Sequence, residues 1–297
     1  MEPVKHWVKG KAPVAVVMIS LNEGHNIEDV CKNLQGWAQE LFLVDSYSQD
    51  NTIDLALKYG IKVVQRGFTN FGDQWNFALN SLPISAEWTM KLDPDERISD
   101  ELKLDIIRAT QEESVDGIEF YRQWWLMKTK FPIKDKVLRV WKTGKCKFTN
   151  TAINEHPQVK GSIKLVKGIL DHYDSPDLEH WLEKQNRYTT LEAINLYLEK
   201  PLADKPRLFG SSFQRRMWIK KNFYNIPLRY LLLFFYYWVW KGLWKSGWSG
   251  YASARLWSDV MRLREYKYKE MKRTGQLLAP RTYGPGKADH RVKQIIE

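Results

Sequence analysis

Cysteine is scarce: the 297-residue chain has two, Cys31 and Cys146. A pair cannot build a disulfide framework, neither sits in a CxxC metal knuckle, and a reducing cytosol suits the count. No internal repeat and no low-complexity linker is present. The aromatic run from Tyr230 to Trp240 has 11 residues, whereas a membrane-spanning helix needs about 20. The early apolar run "APVAVVMIS" leads into "LNEGHN" rather than a small-residue cleavage site, so it reads as a first buried strand and not a secretory signal. Acidic residues are the minority, 35 against 46 Lys plus Arg, for a formal charge of +11. That surplus favours anionic partners: nucleic acid, acidic lipid headgroups or phosphorylated metabolites. A hydrophobic content of 43% is enough for a sizeable core and excludes global disorder.

What is present is an alternation. Between residues 13 and 120, "VAVVMIS", "LFLVDS", "IKVVQR" and "EWTMKL" have strand length and composition. Between them lie helical patterns. "NIEDVCKNLQGWA" spaces Ile27, Val30, Leu34 and Trp37 by three and four, "NTIDLALKYG" is closed by Gly60, and Ser99 can cap "SDELKLDIIRATQ". Strands alternating with helices predict βαβ units and a mostly parallel sheet covered on both faces. Residues 115–175 are irregular and strand-rich, with Thr143-Gly144 as a hairpin turn, and one long helix is expected from Asp177 to Lys200. The expected organisation is an α/β domain over residues 1–204 and a helical, aromatic and basic appendage over 205–297.

Ligands of parallel sheets bind beyond the carboxyl ends of the strands. Three predicted strand ends finish in polar residues: Asn22-Glu23, Asp45-Ser46 and Asp93-Pro94-Asp95-Glu96. Capping of the next helix and a solvated turn would account for an isolated D-P-D-E. Directly after a buried strand, however, clustered carboxylates repel unless a cation offsets them. A hard dication, Mg²⁺ or Mn²⁺, held by one or two carboxylates plus substrate phosphates is one answer.

The succession "VMISLNEGHNI", "FLVDSYSQDNT" and "MKLDPDE" resembles the inverting glycosyltransferases of family 2, which have the Rossmann-like GT-A fold. It is most similar to the subgroup that adds sugars to bacterial lipopolysaccharide core, whose third motif, a DXD type, usually reads L-D-A-D-E. "INEHP", "LDHY" and "RYTTLEA" fit the same subgroup, so the resemblance covers roughly residues 13–200. It implies that Ser20, Asn22 and Glu23 lie along the nucleotide of a nucleotide-sugar donor, UDP being favoured. Asp45 would bond the base, with Ser46 and Ser48 shaping the loop, and Lys91 would touch donor phosphate. Asp93 would face the ribose or a metal-bound water, and Asp95 would ligate the metal. Pro94 departs from the usual small residue but suits a tight turn. Glu155 matches the subgroup's catalytic base; a glutamate in a surface loop is the bland alternative. His156 and His172 would be structural or touch phosphate.

The second informative stretch is "FYNIPLRYLLLFFYYWVWKGLWKSGW". A buried core helix is one reading, a spanning helix another. Basic flanks and amphipathic rings instead suggest the bilayer interface, through Arg229, Tyr237, Trp238, Trp240, Lys241, Trp244 and Lys245. The resulting expectation is a peripheral, metal-dependent glycosyltransferase on the cytoplasmic face of the inner membrane, acting on a glycan or lipid-linked acceptor. A polyprenyl-phosphate glycosyltransferase is the alternative within the fold. Nucleic-acid binding is disfavoured because no such motif appears and the basic zone is too apolar, and a catalytically dead membrane scaffold is the other competitor. Self-association through the aromatic helix is left open.

Overall fold

The computed structural model describes residues 7–149, 156–200, 205–279 and 286–295. These form two compact units: residues 7–123, 134–149, 156–173 and 286–295 make the first, and the described residues among 124–133 and 174–279 the second.

The first unit begins with the predicted alternation: β1 (Ala12–Ser20), α1 (Gly24–Leu34), β2 (Ala38–Asp45), α2 (Thr52–Lys58), β3 (Lys62–Arg66), α3 (Phe71–Ser81), β4 (Trp88–Lys91), β5 (Glu96–Ile98) and α4 (Asp100–Thr110). The strand-rich stretch supplies β6 (Gly117–Leu126), β7 (Thr129–Lys142), β8 (Cys146–Phe148), β9 (Pro157–Val159) and β10 (Ile163–Tyr173), and β11 (Lys293–Ile295) comes last. The main sheet has the order β11-β3-β2-β1-β4-β7-β6-β10-β5. From β11 to β4 the pairings are parallel, whereas β7 runs antiparallel to β4, and β5 antiparallel to β10. This is the α/β, Rossmann-like architecture expected.

β1 shows why the central run is uniformly apolar. Val14, Val16 and Met18 pack beneath Ile27, Val30 and Leu34 of α1 and Ile106 of α4. Ala15 and Val17 face the other way, toward Trp75 and Ala78 of α3. A strand buried on both faces has no solvent side to make polar. Ser99 caps α4 as predicted, its Oγ accepting from the Leu102 amide at 3.2 Å.

Three boundaries differ from expectation. α1 stops at Leu34 because Gly36 takes the left-handed conformation (φ 72°); Trp37 still reaches the core, but from the connection. Thr143-Gly144 is a turn but not a hairpin between paired strands, since β8 pairs with β9 in a separate two-stranded sheet. The first unit also gives up α5 (Leu178–Tyr197). That helix belongs to the second unit because Trp181 is buried there with Leu243 and Ala254. Its partner α8 (Gly247–Thr274) sends Lys267 Nζ to Asn186, Thr189 and Thr190 and pairs Arg264 with Glu192 at 2.8 Å. Between them the second unit carries α6 (Ser212–Asn222), α7 (Arg229–Phe235) and a π-helical turn over Tyr236–Trp240. Among the described residues no helix is long and apolar enough to cross a membrane.

Candidate active site

Parallel pairing of β2, β1 and β4 puts their three carboxyl ends on one edge of the first unit. The first two ends are stitched together. Ser46 N donates to Ser20 O (2.9 Å), Asn22 N to Ser48 Oγ (2.8 Å) and Gln49 N to Asn22 Oδ1 (2.7 Å). Asn22 adopts φ 58° and Tyr47 φ 62°, left-handed conformations uncommon outside glycine. Glu23 N donates to Thr52 Oγ1 and Gly24 N to Asp50 Oδ2, both at 2.9 Å. Ser20, Asn22, Glu23, Asp45 and Ser46 therefore come together as expected of a shared loop cluster.

Asp45 is the exception in its surroundings. It is fully buried, and its two oxygens accept from Ser20 Oγ, Ser48 Oγ, Ser48 N and Gln65 Nε2. Four protein donors fill the lone-pair sites of a carboxylate. Through these four bonds Asp45 organises the loop. Beside this loop lies a cavity of about 460 Å³ lined by Ser48, Asp50 and residues 287–291.

The acidic turn after β4 has cationic partners from the protein itself. Arg139 Nη2 donates to Asp93 Oδ2 at 2.9 Å and to Glu96 Oε1 at 2.6 Å, and Arg122 Nη1 stands 3.5 Å from the same Glu96 oxygen. Glu96 is fully buried and also accepts from Asp93 N. Burial alone would raise the Asp93 pKa, but Lys91 and Arg139 outweigh it and hold the carboxyl below its ordinary value. Lys91 is itself buried, with its Nζ 4.5 Å from the Trp75 ring centroid and 5.5 Å from that of Phe148, a cation–π setting.

Asp95 is buried and pairs with His172 of β10, Oδ2 to Nε2 at 3.2 Å. Burial opposes an imidazolium at His172, yet the Asp95 carboxylate outweighs that penalty and raises its pKa. Carboxylate oxygen and imidazole nitrogen are donors that suit Mn²⁺ better than Ca²⁺, and these two lie within the reach of one ion. Asp93, committed to Arg139, is less free to join them than the sequence suggested.

Sequence reasoning missed Arg122, Arg139 and Gln65. The signal was available for the arginines: each sits inside an apolar strand pattern, where a buried cation requires a carboxylate partner. Glu155 lies outside the described residues. His156 is exposed, its amide donating to Thr149 Oγ1 at 3.0 Å.

The aromatic residues assigned to the membrane divide into two sets. Tyr237 packs on Trp257 at 4.5 Å and Trp238 on Phe234 and Tyr251, both partly buried against the core of the second unit. Arg229 is held by Glu265 at 2.6 Å. Trp240 (82% exposed) and Trp244 face outward, in sequence with exposed Leu228, Leu232, Phe235 and Val239. Lys241 and Lys245 lie over the Tyr236 and Trp244 rings, both at 5.6 Å.

No protein-family model matches the chain. Its sequence is similar to curated bacterial glycosyltransferases. An uncharacterized glycosyltransferase of Rickettsia typhi is 25% identical over 199 residues, 62% of this chain and 68% of that protein. The lipopolysaccharide core biosynthesis glycosyltransferase LpsC of Rhizobium meliloti is 25% identical over 257 residues, 82% of this chain and 87% of its own length. Among solved structures, residues 1–349 of S. aureus TarS align with 89% of this chain and 92% of that one at 13% identity and a TM-score of 0.43. Glucosyl-3-phosphoglycerate synthase of Mycobacterium tuberculosis, solved with Mn²⁺, UDP and glucosyl-3-phosphoglycerate, aligns with 37% of this chain and 43% of that one at 21% identity and a TM-score of 0.30.

Proposed function

We propose that this chain is a metal-dependent, inverting glycosyltransferase that moves a sugar from a nucleotide donor to a surface glycan or lipid-linked acceptor in bacterial polysaccharide or lipopolysaccharide biosynthesis. Its glycosyltransferase relatives support the class. The observation that carries the reading is the acidic turn at the shared carboxyl edge of β2, β1 and β4, where Asp93, Asp95 and Glu96 are held in fixed geometry beside the 20–23 and 45–48 loops.

In this reading the nucleotide lies along Ser20, Asn22, Glu23 and Ser46, and the diphosphate reaches toward the acidic turn. Asp95 and His172 would hold a dication, which when bound offsets the charge of the departing diphosphate. Arg139 offsets the repulsion between Asp93 and Glu96 and holds both in place. The acceptor oxygen bonds to the anomeric carbon as the bond from that carbon to the diphosphate oxygen breaks. The acceptor's proton passes to a carboxylate on the opposite side, the role that the resemblance gives Glu155. The outward apolar row through Trp240 and Trp244, with Lys241 and Lys245 beside it, suits the headgroup region of an anionic leaflet, where a lipid-linked acceptor would also lie.

A thermal-stability screen of UDP-, GDP- and dTDP-sugars, with Mn²⁺ and with a chelator, tests the reading. A ligand that binds only the folded state raises the midpoint. Metal-dependent stabilisation by one nucleotide series is expected; indifference to all of them, with and without metal, would overturn the donor site.

A further inference from the structure

Four polar residues form a row across neighbouring parallel strands. The register sets Ser20 of β1 beside Asp45 of β2, Asp45 beside Gln65 of β3, and Gln65 beside Gln294 of β11. Partners in parallel register project to the same face, and these four are joined side chain to side chain. Ser20 Oγ and Gln65 Nε2 each donate to Asp45 at 2.9 Å, and Gln294 Nε2 donates to Gln65 Oε1 at 3.0 Å. The Asp289 amide donates to the same Gln65 oxygen at 2.8 Å. Gln65 is fully buried, so its amide is committed in both directions: its oxygen to the C-terminal segment, its nitrogen to Asp45.

The same segment touches the loop a second time. Gly286 N donates to Tyr47 O at 2.9 Å. A Cβ at position 286 would stand 2.6 Å from Tyr47 O and 3.0 Å from Ser48 O, so only glycine allows the two backbones to approach this closely. Tyr47 is the residue held at φ 62°. Residues 287–291 then wall the 460 Å³ cavity next to Ser48 and Asp50.

We propose that residues 286–295 are a strap that fixes the 45–48 loop, making Gln65 and Gly286 positioning residues for the nucleoside part of a nucleoside diphosphate. The inference rests on the proposed donor site. One contact sets the backbone of Tyr47 from outside; the other sets the rotamer of Asp45 from within the sheet, and Asp45 in turn holds Ser48. The loop between them is fixed at both ends by residues far away in the chain.

The test uses the full chain with Gly286→Ala and, separately, Gln294→Leu, neither of which alters a loop residue. UDP, GDP and dTDP, each with Mn²⁺, serve as probes for calorimetric binding, and hydrogen exchange reports on the Ser48 and Gln49 amides. The expected result is nucleotide affinity weakened roughly fivefold to tenfold, the scale of one lost hydrogen bond, together with faster exchange at both amides. Wild-type affinity and unchanged exchange in both variants would overturn the strap. Faster exchange in the variants of a protein that binds none of the three nucleotides would support the strap and overturn the donor-site reading instead.

Discussion

Arg139 Nη2 stands between two carboxylates, 2.9 Å from Asp93 Oδ2 and 2.6 Å from Glu96 Oε1. One guanidinium thus ties a partly exposed acid at the site to a fully buried one behind it. The negative charge of the D-P-D-E turn is offset first by the protein's own strands, and under the proposed function a dication would act only at its Asp95 end.

Arg139→Leu is therefore expected to be costly. It leaves Glu96 buried with Arg122 as its remaining cation 3.5 Å away, and breaking a buried pair costs about 3–5 kcal/mol. Denaturant unfolding should show that loss, with Arg139→Lys intermediate because an ammonium keeps the charge but lacks the rigid planar fork of a guanidinium and is more strongly hydrated. A loss under about 1 kcal/mol, the range of exposed ion pairs, would show that the bridge does not hold the turn.

Asp95→Asn separates metal holding from folding. The amide keeps the size of the side chain and a contact to His172 but removes the charge. Under the proposed function, Mn²⁺-dependent stabilisation by nucleotide disappears while the metal-free midpoint stays within a few degrees. Retention of the full metal response would remove Asp95 from the site.

Acid stability of the second unit should depend on Glu265. Burial disfavours its charged form, but Arg229, Lys269 and Tyr230 outweigh that and lower its pKa to about 2 from an ordinary value of 4.5. A depressed carboxyl contributes stability that is complete above the unfolded value and is lost as pH falls toward 2. The shift corresponds to roughly 3 kcal/mol. Glu265→Gln should lower stability at pH 7 by up to about that amount and flatten the decline between pH 4.5 and 2, as read by fluorescence-detected unfolding.

The outward row predicts a division among the aromatic residues. Trp240→Ser with Trp244→Ser should reduce co-sedimentation with anionic vesicles while leaving the unfolding midpoint nearly unchanged, since both are exposed. Tyr237→Ser should do the reverse, because that ring lies against Trp257. Wild-type protein that stays in the supernatant at low salt would exclude membrane attachment.

Much of the first unit was legible because β1 to α4 alternate in short, strongly patterned segments whose connections carry polar strand ends. Helix existence followed from spacing; helix ends did not, because the stop at Leu34 depends on Gly36 adopting a positive φ. Ser20, Asn22 and Ser46 were found together because the register of neighbouring strands makes strand ends converge. The environment of Asp45 was not readable, since it depends on Gln65 across the sheet and on Ser48 folding back. Nor was the split of the aromatic segment: the π-helical turn over Tyr236–Trp240 decides which rings face Trp257 and Tyr251 and which face outward.

The parallel pairing of β11 with β3 has a consequence for how the protein is made. Gln65 and Gln294 are 229 positions apart, so during synthesis β3 emerges long before the strand that covers it. Until then it is an open sheet edge, the kind of surface that recruits stray strands from other chains. Only five residues long, with Lys62 exposed and Arg66 tied to Asp73, β3 is short and charged at both ends, which makes the nascent edge a poor template while it waits.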